Sequence, residues 1–387
     1  MNEDSFASYD FGLSVADEAR AAQLHRDSIV IDVLFQGPCG YRSYTPSVLG
    51  QAQALPASAS PTERYFAVLF APIRAALSGQ SNDFQQCWEG SGITAGNRQV
   101  GFGPPAYAIA QAQFDTFPWL TKALTAADIR AAKAAGQRAG FLSTQDSDGL
   151  QERKLDHLRV VYDFGLRMMG MSYNVQNAVA GGLADRFDGG VTAFGAQVIE
   201  AMNELGIIID MSHSSRQATL DACALSKHPV VISHASAASL HDIARAKSDE
   251  EIRAIAASGG VIGVAAAPGL LTASARPTID IMLDHIDYIA RLAGWQHVAI
   301  GTDWPLQADR HTLETIFPSM LREYGARGKG RDKALDSIGA PMNLLGFDDY
   351  RDFPNITRGL VARGYPDEQI RGILGENFLR VFETVCG

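Results

Sequence analysis

The feature that most constrains this chain is a rhythm in its second half. From about residue 139, short apolar runs alternate with amphipathic stretches. The runs are "AGFLST" (139–144), "LRMMGMS" (166–172), "IIIDMSH" ending at His213, "PVVISH" ending at His234, "GVIGVAA" (260–266) and "HVAIGTD" (297–303). Near-continuous apolar runs of this length suit strands covered on both faces, and the stretches between them carry helical stripes. In "TAFGAQVIEAMNELG", Phe194, Val198, Ile199, Met202 and Leu205 share one face before Gly206 ends the helix. Ser248 and Glu251 form a capping box that opens "DEEIRAIAAS". Repeated β-α units of this kind build a parallel sheet. With "SIVIDVLF" (28–35) as a first strand, and others expected near 68–72 or Gly101, the pattern favours a (β/α)8 TIM-type barrel over an open doubly wound sheet. The whole chain, 1–387, reads as one such barrel. Its span of about 37–125, rich in Gly, Ser, Gln and Pro, is expected to be an irregular insertion over the barrel mouth.

Composition narrows the function. The chain's 387 residues, 46% of them hydrophobic, suffice for a large core. With 33 basic against 43 acidic residues and no Lys/Arg-rich run, nucleic acid and anionic membrane surfaces are not expected partners. The start, "MNEDSFASYDFGLSVADEAR", has neither a basic nor an apolar segment of the secretory kind, and no apolar run approaches membrane-spanning length. Cys39, Cys87, Cys223 and Cys386 are scattered without a Cys-x-x-Cys pair, which fits reduced thiols and a cytoplasmic location. The run "GFGPPA" at 101 lacks the spacing of a phosphate-binding loop.

Chemistry is expected where strands end. His213 and His234 close successive predicted strands, so a barrel would aim both into one mouth, where neutral imidazoles serve as metal ligands or acid/base groups. Asp303 closes the last predicted strand, ahead of Trp304 and Pro305, and reads either as a helix cap or as a catalytic carboxylate. His25, in the polar run "LHRDS", reads as a surface residue, and His228 as a helix-end residue.

The motifs "GIIIDMSHSS", "PVVISHASAASL", "HVAIGTD" and the closing "ILGENFLRVFETV" occur in an order and spacing that resembles the renal, or membrane, dipeptidase family of metallopeptidases, a branch of the amidohydrolase-like barrels. The resemblance covers most of residues 139–387 and implies a (β/α)8 barrel descended from two-zinc hydrolases of dipeptide-like amides. It also implies that His213 and His234 are metal ligands, that Asp303 handles the proton of the attacking water, and that Arg245 grips the substrate carboxylate. Against the family pattern, Leu34 and Gln36 stand where His-x-Asp is expected, Gln145 where the bridging glutamate is expected, and Tyr173 where a substrate-contacting histidine is expected. Asp146 or Asp148 would replace Gln145 if the register slipped.

These departures bear on the metals. Two zinc ions about 3.5–4 Å apart need bridging carboxylate charge, which Leu34, Gln36 and Gln145 cannot supply. A binuclear site is therefore not expected. One Zn²⁺ or other divalent ion on His213 and His234 would need a third ligand from Asp303 or, less readily, Cys39 or His25; the other possibility is that no metal is used. Tyr41, Asn174 and Trp304 are candidate substrate contacts, as are Arg42 and Asn177. Three functions follow: a dipeptidase-like hydrolase of a small carboxylate-bearing amide; a metal-independent lyase, dehydratase or isomerase using His213, His234, Asp303 and Tyr173 directly; or a silent binder of small carboxylates. A homodimer is the expected assembly.

Overall fold

Nine strands, all parallel, make one sheet in a computed structural model that describes residues 9–35, 45–53, 67, 70–303 and 344–387. They are β1 (Ile31–Asp32), β2 (Ala95–Gln99), β3 (Leu120–Lys122), β4 (Arg138–Thr144), β5 (Leu166–Gly170), β6 (Ile208–Asp210), β7 (Val230–Ala235), β8 (Ile262–Val264) and β9 (Val298–Ile300). β1 pairs with both β2 and β9, and β2 pairs with β4, so eight strands close into a barrel in the order β1-β2-β4-β5-β6-β7-β8-β9. β3 stands outside this ring, adding to the first residues of β4 with Leu120 opposite Arg138. The expected TIM-type barrel is the observed fold.

Two expectations about the first third are corrected. The span 37–125 is not simply an irregular insertion, since it contributes β2 to the ring and β3 beside it. The strand expected near 68–72 is not seen in the part of it that is described: Ala71 and Pro72 open the helix Ala71–Leu77, with the proline in its first turn. The sequence of β2, "AGNRQ", has almost no apolar signal, because its polar side chains point to partners inside the protein: Asn97 is fully buried and donates to Ser143 Oγ at 2.7 Å.

The barrel has two apolar layers. Outward-facing strand residues such as Leu142, Met169, Ile209 and Ile232 pack with the surrounding helices. Inward-facing residues, among them Ile31, Ala139, Phe141, Met168, Ile208 and Ala299, form a second cluster with Phe378, Leu379 and Phe382 of the helix Asn377–Cys386. These inward residues lie toward the starts of the strands, so that helix plugs the N-terminal end of the barrel. Phe141 meets Phe378 and Phe382 at ring distances of 5.5 and 5.4 Å. The opposite end is left for chemistry.

Local signals explain the helices. Thr192 accepts from Gly195 N at the start of Ala193–Leu205, which stops at Gly206 in a left-handed conformation (φ 79°). The Ser248/Glu251 capping box opens Asp249–Ala257 as expected. Among the described residues, no helix is long and apolar enough to cross a membrane. His25, expected at the surface, is instead buried between Thr357 Oγ1 (2.7 Å from Nδ1) and the Ser91 carbonyl (2.9 Å from Nε2). It lies on the buried side of the helix Val15–Asp27, and its polar sequence neighbours Arg26 and Asp27 face outward.

Candidate active site

The backbone of β7 is deformed where it carries His234. Its pairing with β8 changes register between Ile232 and Ala235, the kind of irregularity that re-aims a side chain. Two glycines make room for it: a Cβ on Gly263 or Gly301 would lie 1.9 or 1.8 Å from the Ser233 carbonyl oxygen. His213 is not at a strand tip, as the sequence suggested, because β6 ends at Asp210 and His213 sits three residues on, in a turn closed by Ser214 N–H donating to Met211 O at 3.2 Å. Lys247 braces this turn from behind: its Nζ donates to Ser214 O and to Glu251 Oε1, both at 3.1 Å, in a buried ion pair. The loop after β7 returns through Lys247 N–H to Ser236 O (2.8 Å) and brings Arg245 to the Ser212 carbonyl, to which Nη1 donates.

The side chains converge. His213 Nε2 lies 3.0 Å from His234 Nε2, 2.7 Å from Gln145 Oε1 and 3.2 Å from Arg245 Nη2. His213 Nδ1 lies 2.8 Å from Asn174 Oδ1, and Tyr173 stacks on the imidazole at 4.1 Å between ring centres. Asp303 Oδ2 stands 3.8 Å from His234 Nε2. Asp303 and Asn174 both adopt left-handed backbone conformations (φ 49° and 60°), sparsely populated for non-glycine residues and concentrated at functional sites. Burial holds both imidazoles well below their ordinary pKa, and the positive charge of Arg245 adds to the effect. Both rings are therefore neutral near pH 7, with nitrogen lone pairs available.

Most of the site named from sequence is thus brought together: His213, His234, Asp303, Arg245, Tyr173, Asn174 and Gln145. Of the three residues in question it is Gln145 that meets His213, while Asp146 is turned to its own loop, accepting from Asp148 N at 2.9 Å, and Asp148 is exposed. Asn177 is occupied in shaping that loop, its Oδ1 accepting from Val179 N and Ala180 N. Leu34 is fully buried just beyond β1, and its carbonyl accepts from Asp303 N–H at 3.1 Å. Gln36, Cys39, Tyr41, Arg42, Trp304 and Pro305 lie outside the described residues. Sequence reasoning passed over Asp32, Asp210, Ser212 and Ser233, all buried at strand ends. A polar residue inside an apolar run must find a partner, and that signal was available in "IIIDMSH" and "VVISH".

Residues 106–323 and 334–386 match the family model described as membrane dipeptidase, peptidase family M19. This chain belongs to the membrane dipeptidase family. Among curated relatives, an uncharacterized dipeptidase from Schizosaccharomyces pombe is 30% identical over 236 residues, 58% of this chain and 48% of that one. Dipeptidase verJ from Clonostachys rogersoniana is 26% identical over 230 residues, 59% of this chain and 50% of that one. The match thus spans about half the length of these relatives. Among solved structures, an amidohydrolase from Pseudomonas aeruginosa is 27% identical with a TM-score of 0.72, covering 94% of this chain and 98% of that one. A metallo peptidase from Rhodobacter sphaeroides, liganded with a phosphinate mimic of the dipeptide L-Ala-D-Ala, shares the fold: TM-score 0.65 at 19% identity, covering 93% and 100% of the two chains.

For a metal in this dipeptidase-family barrel, the donors on offer are the two paired imidazoles and the groups beside them. The oxygen beside His213 Nε2 is that of a neutral amide, Gln145, and the charge beside it is the guanidinium of Arg245. Among the described residues, no group of three or more His, Cys, Asp or Glu is placed to hold a metal. His213 Nε2 and His234 Nε2, 3.0 Å apart, are the nitrogen donors nearest each other at this end of the barrel.

Proposed function

We propose that this chain is a dipeptidase-like hydrolase of a small, carboxylate-bearing amide, working with a reduced metal site of one divalent ion. The observation that carries this reading is the meeting of two neutral imidazoles, the Asp303 carboxylate and the Arg245 guanidinium at one end of the barrel. A bound ion would supply Lewis-acid activation of the amide carbonyl and of water. His213 and His234 would hold the ion through their Nε2 lone pairs. Asp303 takes the proton of the attacking water and returns it to the leaving amine, work suited to a carboxylate a few ångströms from the ligand nitrogens. Arg245 orients the substrate through its carboxylate, using the planar fork of a guanidinium. Tyr173 walls the site beside His213.

A second reading has direct support. His213 Nε2 is already met by Gln145, Arg245 and His234, so the histidine pair forms a hydrogen-bonded unit needing no ion, as a lyase, dehydratase or isomerase using His213, His234, Asp303 and Tyr173 would require. A silent carboxylate binder would retain Arg245 but has no use for the histidine pair.

Elemental analysis of protein purified without chelators, paired with a dipeptide hydrolysis assay before and after chelation, separates these readings. One divalent ion per chain, with hydrolysis lost on chelation and restored by metal, is the expected result. Two ions per chain would overturn the reduced site. No ion, together with an activity indifferent to chelation, would overturn the hydrolase and favour the metal-independent enzyme.

A further inference from the structure

The buried polar residues behind His234 form a closed hydrogen-bond chain whose protons can be counted. Asp210, at the end of β6, accepts from four donors: Ser212 N at 3.0 Å, Ser212 Oγ at 2.6 Å, Ser233 N at 2.9 Å, and Ser233 Oγ. Each serine hydroxyl has one proton, and both are directed to the Asp210 carboxylate, the strongest acceptor in reach. Each hydroxyl oxygen is then left to accept. Ser212 Oγ accepts from the His234 backbone N–H at 3.2 Å. Ser233 Oγ faces His234 Nδ1 at 2.7 Å, and with its own proton spent on Asp210 it can only accept there. The two hydroxyls also lie 3.0 Å from each other, but the carboxylate is the stronger acceptor, and with both protons on it His234 carries its own proton on Nδ1.

We propose that Asp210, acting through the Ser233 hydroxyl, fixes His234 as the Nδ1–H tautomer and so delivers its Nε2 lone pair to the barrel mouth. Asp210 and Ser233 are positioning residues: neither faces His213, Arg245 or Asp303, and their effect passes through the imidazole. The arrangement is pre-set by the fold. Asp210, Ser212, Ser233 and His234 are all almost fully buried, so water does not compete for the bonds, and Ser233 and His234 lie in the stretch of β7 whose register shifts against β8. A neutral imidazole has one protonated and one bare nitrogen, so whatever occupies Nδ1 decides what Nε2 can do. With Nε2 bare, His234 is competent both to bind a cation and to take a proton, so the inference holds for either reading of the reaction.

The test is ¹⁵N–¹H long-range correlation spectroscopy on the full chain labelled with [¹⁵N]histidine, after chelation so that no ion dictates the tautomer. The His234 signals are identified by their absence in His234→Gln. The expected wild-type pattern is a protonated Nδ1 and an unprotonated Nε2. Ser233→Ala should lose this pattern and shift toward the Nε2–H form, Ser233→Thr should restore it, and Asp210→Asn should weaken it. Far-ultraviolet circular dichroism of each variant separates a tautomer change from unfolding. A wild-type His234 protonated on Nε2, or an unchanged pattern in folded Ser233→Ala, overturns the proposal. A negative hydrolysis assay with the expected nitrogen pattern would count against the hydrolase reading alone.

Discussion

Two buried residues give the fold opposite pH sensitivities. Burial pushes His25 down to about 4 from an ordinary 6.5. The unfolded chain takes up that proton first, so the stabilisation is complete above about 6.5 and is lost as pH falls toward 4, amounting to about 2 kcal/mol at about pH 5. Burial pushes Asp32 up to about 8 from 3.8, in spite of hydrogen bonds from Thr302 and Leu34 N–H. Here the folded chain keeps a proton that the unfolded chain has released, so stability falls as pH rises from about 4 to about 8. Urea midpoints across this range should show a shallower acid limb in His25→Asn, where His213 and His234 keep the rest of it, and a shallower alkaline decline in Asp32→Asn. At the site itself, Arg245→Met should weaken apparent affinity for a carboxylated ligand about 10- to 100-fold, the worth of a charged hydrogen bond; unchanged affinity would remove Arg245 from that role. The catalytic candidates were legible because they sit next to apolar runs. Asp210 and Ser233 were not picked out, because polar residues with local partners look, in a sequence, like interruptions of a strand.

Among the described elements, β7 is closely hemmed in by the backbone of its neighbours. A methyl group at Gly301 would collide with the Ser233 carbonyl, and the atom it meets is backbone, which cannot swing aside. Gly301→Ala should therefore displace β7, lower the thermal midpoint by several degrees and reduce turnover more than a surface Gly→Ala change such as Gly189→Ala, where no atom lies within 4 Å of the added carbon. The strands legible in the sequence were those buried by apolar contact on both faces, β4 through β9. β2 was foreseen only as a strand hidden near Gly101, because its "AGNRQ" is buried with hydrogen bonds rather than hydrocarbon, and β1 was drawn too long because "SIVIDVLF" stays apolar beyond its last paired residue. Apolar character reports burial, and in the turn that holds Val33 and Leu34 burial continues after pairing ends.

For the molecule as a whole, the barrel is a tube stoppered at one end, with the paired histidines at the other. Phe382 is fully buried in the stopper, so Phe382→Ala should cost about 3–5 kcal/mol in a denaturant titration. Substrate affinity should stay unchanged, because the stopper and the histidines lie at opposite ends of the strands. A matching loss of affinity would mean that the two ends are coupled. The closed tube was predictable from the repeated β-α units. Its seam was not, since closure joins residues with no sequence pattern in common: Asp32 Oδ1 accepts from Thr302 N–H at 2.9 Å, across 270 positions of chain. That seam has a consequence for how the protein is made. β1 can complete its pairing only after β9 has been synthesised, so it spends most of translation as an apolar segment waiting for its partner. Chaperone demand on the nascent chain should therefore be governed by the delay between these two strands, and moving β1 by circular permutation to follow β9 should shorten it.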